Sequence, residues 1–95
     1  MERKRYRVHG RVQGVGFRVW LLRHAESLAL RGWACNRGDG SVEVEAAGGA
    51  EALARLATLL GQGPRLARVD TVEELPPSPG ALPDRFEIIT GSRHG

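Results

Sequence analysis

Two segments of this sequence have the apolar spacing of amphipathic helices, and strand-like segments lie before, between and after them. The first helical segment, 18–31, places Leu21, Ala25 and Leu28 at positions i, i+4 and i+7, and the second segment covers 50–61. Such spacing gathers apolar side chains on one side of a helix. The remaining apolar patterns predict strands over 3–12, 33–36, 41–46, 66–75 and 85–90.

The resulting order, β-α-β-β-α-β with a final strand, is typical of ferredoxin-like split βαβ folds. We therefore expect an α+β sandwich in which both helices cover one face of an antiparallel sheet, because each layer must bury one side. A chain of 95 residues accommodates a single hydrophobic core, so residues 1–95 are predicted to form one domain.

Glycine and proline mark the predicted boundaries. Gly32 is expected to end the first helix, and the turn 37–40 is expected to close a hairpin between the second and third strands. Three prolines predict a rigid loop over 76–80, and 91–95 are expected to form a frayed end.

Composition narrows the possible functions. No apolar run approaches the ~18 residues that cross a bilayer, and the first residues do not resemble an export signal, so a cytoplasmic protein is predicted. Cys35 is the only cysteine, which excludes an internal disulfide and a cysteine-based zinc site. The net charge of +3 would attract small anions as well as nucleic acid.

The segment from Gly10 to Arg18 reads Gly-Arg-Val-Gln-Gly-Val-Gly-Phe-Arg and links the first strand to the first helix. Gly14 and Gly16 allow positive φ and a close approach of backbone amides to a bound group. The helix N-terminus adds unpaired N–H donors, and the Arg18 guanidinium can hold two anionic oxygens. These features predict an oxyanion site, with phosphate as the expected ligand.

Two better-known phosphate motifs do not match this loop. A dinucleotide fingerprint starting at Gly14 would need glycine where Val19 stands, and a Walker A loop would need lysine directly after a glycine. A tight structural turn would also explain the two glycines, so the loop alone does not decide the function.

A second segment strengthens the phosphate interpretation. From Gly32 to Val44 the chain reads Gly-Trp-Ala-Cys-Asn-Arg-Gly-Asp-Gly-Ser-Val-Glu-Val, which puts Asn36 at the end of a strand. Together the two segments resemble the acylphosphatase family, matching its Gly-x-Val-Gln-Gly-Val-Gly-Phe-Arg signature and its Gly-Trp/Tyr-x-x-Asn-x-x-Asp-Gly-x-Val pattern. The resemblance covers essentially the whole chain, and the one departure is a cysteine at position 35.

The resemblance implies hydrolysis of the carboxyl–phosphate anhydride of acyl phosphates, without a metal or cofactor. It implies that Asn36 positions the attacking water and that Arg18 is the second catalytic residue. It also implies that the phosphoryl group is bound by Gln13, Gly14, Val15, Gly16, Phe17 and Arg18. The substrate is then a small acyl phosphate, and a monomer that binds neither nucleic acid nor membrane is expected.

Other chemically active residues have structural explanations. His9, His24 and His94 lack metal-ligand spacing, so surface or packing roles are expected. Cys35 is predicted to be a buried, inert thiol, Phe17 to anchor the loop in the core, and Asp39 to fix the hairpin turn. Solvated strand faces or ion pairs are predicted for Glu43, Glu45, Glu73 and Glu74.

Two alternative functions stay open at this point. Ferredoxin-like sheets also form RNA-binding modules, but those stack bases on aromatic residues of the central strands, and 41–46 contains none. The other alternative is a carbamoyl-phosphate-handling domain, like the acylphosphatase-like segment of hydrogenase-maturation carbamoyltransferases. Those proteins continue into zinc-binding and larger catalytic regions that are not found in this sequence.

Overall fold

The computed structural model describes residues 1–90 and contains the predicted order of elements. These are β1 (Glu2–Arg11), α1 (Phe17–Ser27), β2 (Arg31–Asn36), β3 (Val42–Gly48), α2 (Ala50–Gln62), β4 (Arg68–Leu75) and β5 (Phe86–Ile89). The predicted frayed end, 91–95, lies outside the described residues. No helix in the described part of the chain is long and apolar enough to span a bilayer.

The five strands form one sheet in the order β4-β1-β3-β2-β5. β1 pairs antiparallel with β3 and β4, and β2 pairs antiparallel with β3. The predicted antiparallel sheet is confirmed for these four strands and is wrong for the last one, because β5 pairs parallel with β2. The reason is the loop 76–85, which returns the chain to the other edge of the sheet at the end where β2 begins.

Both helices pack on one face of the sheet, as expected for an α+β sandwich. Alternate residues of the central strands, such as Val8 and Val44, are fully buried there against Leu21 of α1 and Leu56 of α2. This period of two follows from the pleat, which directs successive side chains to opposite faces.

The first helix ends earlier than predicted. α1 stops at Ser27, and the Leu30 N–H donates to the Ala25 carbonyl while Ala29 adopts a φ of 56°. This is a Schellman ending with alanine in the position that usually holds glycine. Gly32, predicted to end the helix, instead lies in β2, where an added Cβ would stand 1.9 Å from the Glu45 carbonyl oxygen of β3.

Over β1 and β3, the face of the sheet opposite the helices is built from ion pairs, and we call Arg3, Arg5, Arg7, Glu43 and Glu45 the charged face. The Arg3 Nε lies 2.6 Å from Glu45, and the Arg5 Nε lies 2.6 Å from Glu43. Of the two alternatives predicted for these glutamates, solvated strand faces or ion pairs, the ion pairs are confirmed. The side chain of Glu45 is 0% exposed and that of Glu43 is 3% exposed.

The loop 76–85 crosses this face and explains the burial of Glu45. The Ser78 backbone N–H donates to the Glu45 carboxylate at 3.0 Å, and the Ser78 hydroxyl donates to its other oxygen. Leu82 packs against Trp33 and Cys35. Cys35 is 0% exposed, which confirms the predicted buried thiol.

Candidate active site

The loop between β1 and α1, which we call the cradle (residues 12–16), turns through two glycines. Gly14 has a φ of 76° and Gly16 a φ of 77°, which confirms the predicted positive φ. A Cβ added at either position would meet no atom within 4 Å. The backbone conformation, rather than a lack of space, therefore favours glycine at both positions.

Buried side chains hold the two ends of the cradle. Val12 is 1% exposed and Phe17 is 2% exposed, and both belong to the main hydrophobic core. The Phe17 ring also packs 5.4 Å from the ring of Trp20. The prediction that Phe17 anchors the loop in the core is confirmed.

Gln13 ties the cradle to the turn between β2 and β3. Its side-chain nitrogen donates to the carbonyl oxygens of Arg37 at 2.8 Å and Ser41 at 2.9 Å. Both of its N–H donors are thus directed at the turn. The side chain braces the cradle and leaves only the backbone amide of Gln13 for a bound anion.

Asp39 fixes the same turn, as predicted. One carboxylate oxygen accepts from the Ser41 hydroxyl at 2.6 Å and from the Ser41 backbone N–H at 2.9 Å. These two hydrogen bonds, the hydroxyl first, lower the pKa of Asp39 below its usual value of 3.8. The turn is therefore held by an ionised carboxylate at neutral pH.

Arg18 lies in the first turn of α1 without a counterion. Its side chain forms no ion pair or hydrogen bond with any of residues 1–90, and the first turn holds no acidic residue. No side chain caps this helix end, so the first backbone N–H groups are also left open. A cation at the positive end of a helix is unfavourable by itself and becomes favourable when an anion binds between them.

Asn36, the last residue of β2, lines the same small hollow as Arg18. The hollow has a volume of about 100 Å³, and its lining comprises Val12, Gly14, Gly16, Phe17, Arg18, Val19 and Asn36. The Asn36 Oδ1 atom is buried and has no hydrogen-bond partner in the described part of the chain. Such an atom costs free energy unless a bound group supplies a donor.

The structure brings most of the predicted site residues together. Gly14, Gly16, Phe17, Arg18 and Asn36 line one hollow, whereas the side chains of Gln13 and Val15 do not. Two lining residues were missed from the sequence, Val12 and Val19. The signal for Val19 was available, because it is an apolar residue between Arg18 and Trp20 at a position that the core does not use.

Neither histidine in the described residues, His9 or His24, lines this hollow. The His9 Nε2 lies 3.1 Å from a Glu73 carboxylate oxygen on the surface, and His24 packs edge-on against Trp20 at 4.9 Å. Within residues 1–90, no three His, Cys, Asp or Glu side chains group in a way that could hold a metal ion. The hollow offers anion-binding donors and one amide side chain.

Comparisons with known proteins give a consistent result. The family model "Acylphosphatase" matches residues 4–88. The chain is 52% identical to an acylphosphatase of Nitratidesulfovibrio vulgaris over 93% of its own length and 90% of that protein. It superposes on a crystal structure of acylphosphatase from Bacillus subtilis with a TM-score of 0.85 and 36% identity, covering 94% and 99% of the two chains. It also superposes on 12% of the chain of T. kodakarensis HypF, with a TM-score of 0.82 and 32% identity over 97% of its own length.

Proposed function

Because this chain belongs to the acylphosphatase family and is an enzyme that hydrolyses acyl phosphates, we propose how its residues divide that task. The backbone amides of Gln13–Phe17 and the Arg18 guanidinium bind the phosphoryl group. The Asn36 side chain positions the water that attacks phosphorus. Arg18 and Asn36 are the catalytic residues.

One observation supports this assignment above the others. The hollow between the cradle and β2 is lined by an arginine without a counterion and by Asn36, whose buried Oδ1 atom has no hydrogen-bond donor within residues 1–90. A phosphoryl oxygen would neutralise Arg18, and the Asn36 amide in the wall of the same hollow would hold a water molecule beside it. A substrate and its nucleophile therefore satisfy both groups at once.

The reaction needs little beyond this arrangement. Water adds to phosphorus, the bond from phosphorus to the acyl oxygen breaks, and a carboxylate leaves. Since the leaving carboxylate is a weak base, alignment of the water and stabilisation of the phosphoryl charge are sufficient. A phosphoryl oxygen accepts the proton that the water loses, so inorganic phosphate is the second product and no side-chain base is required.

The side chains of Gln13 and Asp39 affect the reaction indirectly, through the positions of other residues. Gln13 connects the cradle to the turn after Asn36, and Asp39 fixes that turn through Ser41. They are positioning residues, because they set the distance between the phosphoryl donors and the amide that holds water.

Release of inorganic phosphate from acetyl phosphate in the presence of EDTA tests the proposal. We expect full activity with EDTA, competitive inhibition by inorganic phosphate, and loss of both activity and inhibition in Arg18→Ala. Arg55→Gln is the matched control, because Arg55 is an exposed arginine of α2. An Arg18→Ala variant that binds phosphate with unchanged affinity would contradict the assignment.

The RNA-binding alternative has no aromatic platform on the sheet within residues 1–90. Tyr6, Phe17, Trp33 and Phe86 are each less than a tenth exposed, and Trp20 lies on α1. Carbamoyl phosphate stays a candidate substrate, because it is itself an acyl phosphate and presents the same phosphoryl group, and the same assay tests it. The monomeric state and the cytoplasmic location also stay predictions.

A further inference from the structure

The small hollow lined by Arg18 and Asn36 is called the phosphoryl hollow from here on. A second, larger hollow adjoins it along the outer side of α1. Its volume is about 560 Å³, and it is lined by Gly16, Val19, Trp20, Arg23, His24 and Ser27. We call it the α1 groove. Gly16 and Val19 line both hollows, so the groove begins where the phosphoryl hollow ends.

The groove follows the helix away from the cradle. Val19 and Arg23 are four positions apart in the sequence, as are Trp20 and His24, so the members of each pair lie on the same side of α1. At a rise of 1.5 Å per residue, Arg23 lies about 10 Å from Gly16 along the helix axis. A group bound in the groove can thus reach from the phosphoryl hollow to Arg23.

The part of the groove nearest the cradle is apolar. Val19 is 48% exposed, although it is a large apolar side chain beside a polar site. The Trp20 ring is half-buried and held between the Phe17 ring at 5.4 Å and the His24 ring at 4.9 Å. Aromatic packing on both sides fixes this ring as a preformed contact surface.

The far part of the groove is cationic. Arg23 is exposed and forms no ion pair or hydrogen bond with any other residue that the structure describes. α1 contains one carboxylate, Glu26 in its last turn, and this carboxylate forms no ion pair with Arg23, whereas the arginines of the charged face each contact a carboxylate. Arg23 is thus available to a second anionic group on a ligand whose phosphoryl group is at Arg18.

We propose that the α1 groove binds the acyl group of the substrate and selects acyl phosphates that have a second negative charge. Val19 and Trp20 contact the apolar body of the acyl group, and Arg23 pairs with a carboxylate or phosphate at its far end. This inference rests on the proposed position of the phosphoryl group. Arg23 is a specificity residue and takes no part in the bond-breaking step.

Three substrates separate the parts of the proposal. Acetyl phosphate has only a methyl group beyond the carbonyl, benzoyl phosphate adds an aromatic ring, and 4-carboxybenzoyl phosphate adds a carboxylate to that ring. For the wild type we expect kcat/KM to be highest for 4-carboxybenzoyl phosphate. In Arg23→Gln the ratio of kcat/KM between the carboxylated and the plain benzoyl substrate should fall about threefold to tenfold at low ionic strength.

Two controls make this ratio specific. Arg55→Gln removes an exposed arginine from α2 and measures how far the loss of one positive net charge lowers the ratio by itself, because the carboxylated substrate has the larger negative charge. We expect this fall to be much smaller than the fall in Arg23→Gln. Raising the salt concentration should lower the ratio in the wild type and have little effect on it in Arg23→Gln, because salt screens an exposed ion pair. An equal fall of the ratio in Arg55→Gln would overturn the role of Arg23.

Trp20→Leu tests the apolar part of the groove. Because each substrate is compared within one variant, a partial loss of folded protein cancels from the ratio. We expect the ratio of kcat/KM between benzoyl phosphate and acetyl phosphate to fall several-fold. If neither variant changes its ratio, the α1 groove is not the acyl site. Acetyl phosphate hydrolysis that still depends on Arg18 would then leave the proposed phosphoryl site intact.

Discussion

The charged face and the phosphoryl hollow both contain arginine, but the arginines of the charged face are paired with carboxylates and Arg18 is not. Arg3, Arg5 and Arg7 each contact a buried glutamate, at 2.6 Å, 2.6 Å and 3.4 Å, and together they cover the part of one face of the sheet that lies over β1 and β3. Arg18 is also partly buried but contacts no carboxylate in the described part of the chain.

This difference separates arginines that stabilise the fold from the arginine that binds a ligand. A buried carboxylate compensates the desolvation of Arg3, so that pair is complete without substrate. Arg18 has only the helix end beside it, which repels a cation, so its electrostatic balance is completed by an anion. If the comparison is correct, a substitution in the charged face changes the free energy of unfolding but not the activity, and a substitution of Arg18 does the reverse. Substitutions that change both quantities together would contradict it.

The largest effect is expected for Arg18→Ala. Removing a preorganised charge at the transition state typically costs about 2.7–4 kcal/mol, so kcat/KM for acetyl phosphate should fall at least about 10²- to 10³-fold. The free energy of unfolding should change by less than about 0.5 kcal/mol, because the side chain has no partner to lose. Steady-state kinetics and urea unfolding of the same preparation measure both quantities.

Arg18→Lys gives the matched control for charge alone. An ammonium group cannot reproduce the two parallel hydrogen bonds of a guanidinium, so this variant should recover little of the lost activity. Recovery to near the wild-type rate would show that the hollow needs only a positive charge.

Asn36→Ala should have the next largest effect and a different kinetic signature. We expect kcat to fall about 10²-fold while the Ki of inorganic phosphate stays near its wild-type value, because Arg18 and the cradle are unchanged. A control is Asn36→Asp, which keeps the size but places negative charge beside an anionic substrate. A large increase in the phosphate Ki of Asn36→Ala would assign Asn36 to phosphate binding instead of water positioning.

Arg3→Ala tests the opposite side of the comparison. It leaves Glu45, which is 0% exposed, with hydrogen bonds from Ser78 but without its Arg3 ion pair. Breaking a buried pair costs about 3–5 kcal/mol, and the two Ser78 donors should reduce this to about 2–3 kcal/mol of unfolding free energy. The value of kcat for the folded protein should stay within about twofold of wild type, since the charged face and the cradle lie on different parts of the molecule.

The sequence predicted the parts of the site that depend on local chemistry. Positive φ at Gly14 and Gly16, the anchoring of Phe17 and the Asp39 turn all follow from short-range rules, and the structure confirms them. The position of Asn36 relative to Arg18 was inferred from a family resemblance. The apolar periodicity of the chain predicts individual helices and strands, but it does not predict which distant residues, such as Arg18 and Asn36, the pairing of strands brings together.

The features that sequence patterns missed depend on distant contacts. Glu45 has the alternation of a solvated strand residue, and its carboxylate is instead contacted by two distant residues, Arg3 of β1 and Ser78 of the loop 76–85. The same loop leads the last strand to β2, which makes that pairing parallel. Gly32 follows a helical pattern, and glycine is common directly after a helix, so the sequence predicted a helix end there. The structure shows a different reason for glycine, which is the close approach of the β3 backbone.

The smallest effect is expected where the two regions meet, at the turn 37–41. The Arg37 side chain pairs with Glu43 of the charged face at 3.2 Å, while its carbonyl oxygen accepts the hydrogen bond from Gln13 of the cradle. Asp39 fixes this turn through its hydrogen bonds from Ser41. Asp39→Ala should therefore make the distance between the cradle and Asn36 more variable. We expect kcat to fall less than about tenfold, because the catalytic groups are retained and only their alignment changes.

The pH dependence of this variant tests the cause. The hydrogen bonds from Ser41 lower the pKa of Asp39, so its contribution to stability is complete above the usual value of 3.8 and is lost as the pH falls through the lowered pKa. The difference in Tm between wild type and Asp39→Ala should therefore be constant from pH 7 to about pH 5 and shrink below about pH 4. Asp84→Ala is the control, because Asp84 is exposed and accepts no hydrogen bond from residues 1–90. If the Tm difference for Asp39→Ala persists unchanged down to pH 3, the ionised carboxylate does not hold the turn, and Gln13 alone would join the two regions.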